Sequence, residues 1–473
     1  MISKSNALAI CFLVGSVTAN VNAQSGDWTT GSGGSSSRDC LSSQFAPSEN
    51  QLLWQGSLPA IVAQQAVIEG NTVVMARITS FTIPTGTTIV AHDLHTGAQL
   101  WDIQLPYTPP DDWRSRVSAI RDGQVYATRA GNTNQSPLYA LDVIDGSIIW
   151  ESQNLINEST TEGLAFTSNG DLIVGNFSSV MRISKNDGTT MWQTQRSCPT
   201  SNGCLVSVFE NTGYFWQASA QGPIVTAIDL ATGDVLYSSN GIGGGVIQQL
   251  GLFVGPDGTV YAPRTQNNII TDFLVALEDT GIALNEKWSV PLGYIPFGTM
   301  GVGPDGSVYS YQTDNDNDVF TILRIDPITG GIVNVSKPLA FGFPLQPRMA
   351  IDAAGNVFVT NGSFPSGALF ALNADLTLRW STNIPNVNIG GPAIGQDGIL
   401  IVCGVGTDVR AYQTNIPQIP GDLNGDGVVN TTDLLILFSN WGACPNCKIC
   451  PADLDGDCNV STNDLLLLFA NWG

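Results

Sequence analysis

Ala140-Leu141-Asp142-Val143-Ile144-Asp145-Gly146-Ser147-Ile148-Ile149-Trp150 is the stretch on which the fold turns. An apolar segment ends at Asp142, a tight Asp-Gly turn follows, and a second apolar segment ends at Trp150. The pattern Ala-x-Asp-x-x-Thr/Asp-Gly-x-x-x-Trp returns at Ala91…Asp93…Thr96-Gly97…Trp101. Looser copies run Arg182…Asp187-Gly188…Trp192, Ala227…Thr232-Gly233…Tyr237 and Ala276…Thr280-Gly281…Trp288. The series continues at Ile325-Asp326…Thr329-Gly330 and Ala371…Trp380, then stops at Ala411-Tyr412 without its Trp.

Between these copies lies a second unit, an apolar strand, a tight turn and another apolar strand. Its clearest forms are Gly255-Pro-Asp-Gly-Thr-Val-Tyr261 and Gly303-Pro-Asp-Gly-Ser-Val-Tyr309, and the others turn at Gly70, Gly123, Gly170, Gly213, Gly355 and Gly398. Asp-Gly between apolar runs is a strong hairpin signal, because glycine enters positive φ cheaply. Two hairpins in a period of roughly 40–50 residues make one four-stranded propeller blade. The repeat therefore predicts a mainly β protein, an eight-bladed β-propeller over residues 51–416. The recurring Trp is the apolar anchor between neighbouring blades. The orphan Leu52-Leu53-Trp54 supplies the outer strand that the last copy lacks, closing the ring and removing its open edges.

The 473 residues carry 40 Asp+Glu against 18 Lys+Arg, a formal net charge of −22, which argues against nucleic-acid binding. The two histidines, His92 and His95, lie in one turn of the first copy, so histidine-based triads and zinc sites are not expected. Residues 1–23 read as a signal peptide, with Lys4, the apolar run Ala7 to Val17 and the cleavage site Val21-Asn22-Ala23. The expectation is a secreted or cell-surface protein with no transmembrane segment. Residues 24–50, rich in Gly and Ser, read as a flexible linker.

Eight cysteines follow the signal, an even number that favours disulfides in an exported chain. Cys198 and Cys204 bracket one short loop and are expected to pair. Cys444, Cys447, Cys450 and Cys458 crowd the C-terminus, with three possible connectivities. Cys40 and Cys403 remain as a candidate long-range pair locking the ring.

Past a linker-like Pro417-Gln-Ile-Pro420, a second repeat occurs twice at a spacing of 31 residues. Calcium is a hard cation wanting six to eight oxygens, which a 12-residue loop presents from positions 1, 3, 5, 7, 9 and 12. In the first loop these are Asp422, Asn424, Asp426, the Val428 carbonyl, Asn430 and Asp433. In the second they are Asp453, Asp455, Asp457, the Asn459 carbonyl, Ser461 and Asp464. Each loop leads into an apolar helical run, Leu434–Phe438 or Leu465–Phe469. Two bound Ca2+ ions, coupled to folding, are the expectation.

The Ala-x-Asp-x-x-Thr-Gly-x-x-x-Trp unit resembles the repeat of pyrroloquinoline quinone (PQQ)-like eight-bladed propellers. That resemblance implies either a quinoprotein dehydrogenase or a non-enzymatic scaffold of the outer-membrane assembly kind. The dehydrogenases hold their quinone with a bridge of adjacent cysteines, and this sequence has no adjacent Cys pair. The paired loop–helix segment 421–473 resembles dockerin domains, which implies calcium binding, a cohesin-like partner and an association with polysaccharide breakdown. By that resemblance, partner choice falls to Thr431-Thr432 and Thr462-Asn463, with Phe438-Ser439 and Phe469-Ala470. Position 6 departs from the pattern in the second loop, where Cys458 replaces the favoured Gly.

A carbohydrate or protein ligand is expected on the face of the longer connections. Tyr107…Trp113-Arg114-Ser-Arg116, Tyr294-Ile-Pro-Phe297 and Phe341-Gly-Phe343…Arg348 lie there, and Asp314-Asn-Asp-Asn-Asp318 is a weaker cation candidate. The reading is a secreted binding or scaffold propeller with a calcium-dependent docking module, without PQQ. A quinoprotein dehydrogenase and a propeller-based glycan hydrolase or lyase are the alternatives, with catalytic residues unknown.

Overall fold

Every copy of the long repeat forms the third and fourth strands of one antiparallel sheet, and the preceding hairpin forms the first and second. The computed structural model describes residues 27–472 apart from 57–61, 64, 80–85, 109–113, 132–134, 158–163, 199–204, 243–244, 247–250, 266–271, 294–297, 315, 318, 341–346, 363–366, 385–386, 388–389, 405–408, 415–420, 424–428, 445–449 and 456. The signal segment, the 417–420 linker, Cys204 and Cys447 lie outside the described residues.

Eight sheets follow one another around a ring. Blade 2 is representative, with strands Arg116–Arg121, Gln124–Thr128, Leu138–Asp142 and Ile148–Glu151 in order from the inner strand outwards. Blade 8 takes its outer strand from the start of the chain: Leu52–Gly56 pairs antiparallel with Val409–Tyr412, Trp54 opposite Ala411. The turns within hairpins lie on one face of the disc, here the turn face. Connections between hairpins and between blades lie on the other, the loop face.

Apolar side chains point from each sheet towards its neighbours, so the core is a set of seams. One cluster joins Val74, Ala76 and Trp101 of blade 1 to Ile120, Val125 and Leu141 of blade 2. A second joins blade 3 to blade 4 through Ile173, Val180, Val208 and Phe215.

The tryptophans fasten these seams in a repeated way. Trp54 Nε1 donates to the Leu94 carbonyl at 2.7 Å, Trp101 to Val143 at 2.9 Å, and Trp150 to Lys185 at 2.9 Å. Trp192 donates to Leu230 and Trp288 to Pro327, both at 3.0 Å. Each acceptor sits in the Thr-Gly or Asp-Gly turn of the next blade, and the indole lies against that turn's glycine. A methyl group on Gly233 (φ +80°) would sit 2.7 Å from Trp192 Cδ2. The glycine thus serves both the left-handed turn and the close approach of the ring. Blade 4 ends in Tyr237 instead, whose hydroxyl donates to Asp279 of blade 5 at 2.7 Å, and Gly281 (φ +79°) has open space beside it. Trp380 of blade 7 donates to the Pro47 carbonyl at 3.1 Å, just ahead of the closing strand.

Residues 27–46 are not the flexible linker expected from their composition. They lie across the axis on the turn face, where the inner strand of every blade has an edge without a sheet partner. Ile68 and Trp28 exchange backbone hydrogen bonds on blade 1, and Ile120 of blade 2 donates to Thr29 O. Ser36 Oγ accepts from Phe166 N of blade 3 and Ser36 O from Val208 N of blade 4. Ser37, Asp39 and Cys40 carbonyls accept from Val254, Val302 and Ile351 of blades 5, 6 and 7. Backbone polar groups out of water need partners, and this plug provides them. Its small residues let the segment fold back on itself, since a methyl group on Gly34 would reach within 2.4 Å of Asp27 O.

The plug also overturns the expected Cys40–Cys403 bridge. Both cysteines are buried and neither is in a disulfide. Cys40 lies on the turn face against Gly301 and Ile351, on blades 6 and 7. Cys403 ends its strand at the loop face of blade 8, its Sγ 3.6 Å from Met75 Sδ, and burial pushes its thiol up to about 12. The pairing assumed that residue 40 ran alongside the last blade, whereas it crosses the axis at the other end of the strands.

Two outcomes test this arrangement. Gly233→Ala is expected to lose about 3 kcal/mol of propeller stability in urea unfolding, from left-handed strain plus overpacking against Trp192, and Gly281→Ala only about 1 kcal/mol. Equal losses would contradict the indole–glycine contact. Burial pushes the Asp39 carboxyl up to about 6, against the hydrogen bonds from Leu41 N and Ser35 Oγ. A raised carboxyl is protonated more readily in the folded state, so folding weakens as pH rises through the interval between the two pKa values. Relative to Asp39→Asn, the wild type should lose thermal stability from pH about 4 to about 6 and then level off.

Candidate metal centre and docking module

The C-terminal module is built from two loops and two short helices, α1 (Thr431–Ser439) and α2 (Thr462–Ala470). Asn430 caps α1, its Oδ1 accepting from Thr432 N at 2.7 Å, and Ser461 caps α2, its Oγ accepting from Asn463 N at 3.2 Å. The third helical residue closes each capping box: Asp433 Oδ2 accepts from Asn430 N at 2.9 Å, and Asp464 Oδ2 from Ser461 N at 2.7 Å. Their other oxygens reach back to the loop start, Asp433 Oδ1 to Leu423 N at 2.8 Å and Asp464 Oδ1 to Leu454 N at 2.6 Å. Both carboxylates are fully buried. Desolvation pushes the Asp464 carboxyl up, but the amides of Ser461, Asp455 and Leu454 hold it below its usual value.

The second loop gathers Asp453, Asp455 and Asp457, whose nearest carboxylate oxygens lie within 4.8 Å of one another. Backbone amides hold the three in place: Cys458 N donates to Asp453 Oδ2 at 2.8 Å, Asp457 N to Asp455 Oδ1 at 3.2 Å, and Asn459 N to Asp457 Oδ1 at 2.9 Å. Such a set of hard oxygens fits Ca2+. Asp464 and Ser461 stand at the helix start, outside this trio. In the first loop Asp422, Asn430 and Asp433 are described, while Asn424, Asp426 and Val428 lie outside the described residues.

Cys458 keeps the left-handed conformation that glycine favours at this point of the loop, at φ +71°, and is disulfide-bonded. Cys444 and Cys450 form a second disulfide, which selects one of the three connectivities. Cys198 is also disulfide-bonded. The helices pack through Leu437 and Leu468 onto Val429, Val460 and Ala452. Their outer faces carry twin apolar sets, Leu435, Phe438 and Trp441 beside Leu466, Phe469 and Trp472, all exposed. Within each set the aromatic rings touch, Phe438 with Trp441 at 5.6 Å and Phe469 with Trp472 at 5.3 Å between centroids. Sequence reasoning picked the phenylalanines, and the structure adds Trp441 and Trp472 beside them.

On the propeller, the repeat aspartates close turns. Asp93 Oδ1 accepts from His95 N and Thr96 N, Asp229 Oδ1 from Ala231 N and Thr232 N, and Asp326 Oδ1 from Ile328 N and Thr329 N. His92 is buried with Nδ1 3.1 Å from Gly97 O, and His95 bridges blade 1 to Asp397 of blade 8 at 2.9 Å. Asp314 likewise accepts from the Asp316 and Asn317 amides of its own turn. Among the loop-face candidates Tyr107 packs under the Arg129 guanidinium and Arg348 is buried, while residues 109–113, 294–297 and 341–346 lie outside the described residues. No described helix is long and apolar enough to cross a membrane.

Comparison with known proteins agrees with this division. The profile described as outer membrane protein assembly factor BamB matches residues 42–163 and 134–287, which together span more than half of the chain. The dockerin type I domain profile matches residues 420–471. No curated protein matches the chain. Among solved structures, a europium-containing methanol dehydrogenase is 12% identical with a TM-score of 0.54, covering 80% of this chain and 90% of that one. The quinohemoprotein alcohol dehydrogenase of Comamonas testosteroni is 13% identical with a TM-score of 0.53, covering 90% and 88%. BamB of Moraxella catarrhalis is 14% identical with a TM-score of 0.49, covering 78% and 98%. Identities this low speak to fold alone. With the repeat, the closed ring and the BamB profile in agreement, the chain belongs to the BamB-like family of PQQ-type eight-bladed propellers and carries a dockerin type I module at its C-terminus.

Proposed function

We propose that this chain is an exported, non-catalytic binding propeller that a calcium-dependent dockerin module attaches to a cohesin-like protein, in the service of polysaccharide breakdown. The observation that carries the reading is the convergence of Asp453, Asp455 and Asp457 in a loop entering a helix with an apolar outer face. Three carboxylates this close repel one another, and a divalent cation relieves the repulsion and couples binding to folding. The second ion is held by Asp453, Asp455, Asp457, the Asn459 carbonyl, Ser461 and Asp464, and the first by Asp422, Asn424, Asp426, the Val428 carbonyl, Asn430 and Asp433. Asp464 Oδ1 accepts from both Leu454 N and Asp455 N, while Oδ2, which accepts from Ser461 N, offers its second lone pair to a cation.

The twin Leu/Phe/Trp sets are the docking surface, with Thr431-Thr432 and Thr462-Asn463 at their edges. Exposed aromatics beside small polar residues are the composition of an interface centre and its rim. Export is supported by the signal-like residues 1–23 and by the disulfides, which persist in oxidising compartments. The BamB profile, described as an outer membrane assembly factor, supports a scaffolding role for the propeller outside the cytoplasm.

Calcium titration of the full chain by calorimetry is expected to report two sites, and Asp453→Ala with Asp455→Ala to abolish one. An unchanged isotherm would remove the metal reading. Immobilised cohesins should retain the wild type with calcium and release it with chelator. Phe438→Ala combined with Phe469→Ala should weaken retention by about tenfold or more without changing calcium stoichiometry. Retention that survives both chelator and the double substitution would place the partner elsewhere.

A further inference from the structure

Cations on the two faces of the disc are treated differently. On the turn face they meet carboxylates: Arg182 with Asp171 at 2.6 Å, Lys185 with Asp122 at 2.8 Å and Arg324 with Asp305 at 2.5 Å. Each of those aspartates belongs to a hairpin turn, so the repeat itself supplies the counter-charge. On the loop face the described contacts are of another kind. Arg129 and Arg264, at equivalent positions near the ends of second strands, donate to the Leu105 and Ile242 carbonyls of the preceding connection. These bonds close the seams through backbone carbonyls.

Among the described residues Arg196 meets neither a carboxylate nor a carbonyl. It follows the outer strand of blade 3, Thr190–Gln195, held by Arg196 N donating to Ser178 O at 2.9 Å. Its side chain is 7% exposed, its guanidinium carbon lies 5.1 Å above the Phe215 ring of blade 4, and Nε, Nη1 and Nη2 all lack a hydrogen-bond partner. Burial alone lowers its pKa to about 9, with no carboxylate opposing the shift, so it stays charged at neutral pH. Gln217, two residues beyond Phe215 on the same face of that strand, buries Oε1 without a partner as well. Ala218 N donates to Ser197 O at 2.8 Å, which brings the two segments together. An unpaired buried guanidinium is costly, and a cation–π contact offsets only part of that cost. A group that accepts hydrogen bonds from Arg196 and donates one to Gln217 would satisfy both side chains.

We propose that the loop face between blades 3 and 4 is a carboxylate-binding site, with Arg196 as its anchor and Gln217 as a second contact, and that its ligand is a sugar acid. A carboxylate answers the planar guanidinium, and a neighbouring hydroxyl answers the amide oxygen. The proposal names a ligand class for the binding propeller put forward above, and rests on that reading only in treating the propeller as a binding domain.

The test is calorimetry and thermal shift on the full chain in chelator, which uncouples the propeller from docking. Probes are galacturonate, oligogalacturonate, acetate and neutral galacto-oligosaccharide. Saturable binding of galacturonate is expected, with the neutral sugar silent and acetate weaker. Tighter binding of the oligomer than of the monomer would assign the carboxylate to a polymer, and equal binding to a free sugar acid. Arg196→Gln should lose affinity about tenfold or more. Gln217→Glu, which builds the missing carboxylate into the protein, should raise the melting temperature and abolish binding, guarding against a folding artefact in the first variant. No saturable binding of any acid, or binding unchanged in Gln217→Glu, would overturn the site. Loss of this site with cohesin retention intact would leave the docking reading standing.

Discussion

An indole that rests on the next blade's glycine turn and donates to a carbonyl in it is the contact on which the ring depends. A single four-stranded blade has two apolar faces and cannot bury either alone. Trp54, Trp101, Trp150, Trp192 and Trp288 turn that deficit into a directional link, because each indole belongs to one sheet and its acceptor to the following one. Trp54 is the member that makes the chain circular, since its strand pairs with the last blade while its indole docks on the first. Both faces of the disc, and the plugged axis, exist only once this circuit is complete.

The C-terminal module solves a different problem at a smaller scale. Fifty or so residues bury little apolar surface, so other terms must contribute. Here the same carboxylates cap helices and tie loop starts, while disulfides shorten the accessible chain. Concentrating so many duties on Asp433 and Asp464 explains why they are buried in a module that is otherwise largely exposed.

The blades, the closing strand and the inter-blade role of tryptophan were legible because each is written several times at a regular spacing. What was written once was misread. The Gly/Ser run at 31–37 has the composition of a linker, and nothing local distinguishes it from a plug whose partners are strand edges from Ile68 to Ile351. The expected Cys40–Cys403 bridge failed for the same reason, since it placed residue 40 by sequence proximity to the closing strand. Asp433 and Asp464 carry a second duty beyond the loop register, since each stands third in its helix and closes the capping box. Arg196 gave no signal at all, because its isolation is visible only when the surrounding side chains are in place.

The plug has a consequence for the order in which the molecule is made. Residues 27–46 and the strand Leu52–Gly56 leave the ribosome before any of the eight inner strands, yet the sites they occupy are finished only when residues 351 and 409–412 exist. Contacts separated by more than 300 residues make closure a late and slow event. Until then the nascent chain carries both an unsealed axis and an unpaired sheet edge, the features most exposed to mispairing. Synthesis therefore delivers a complete set of blades before it can deliver a ring, and a segment made ahead of the blades is the last to find its place.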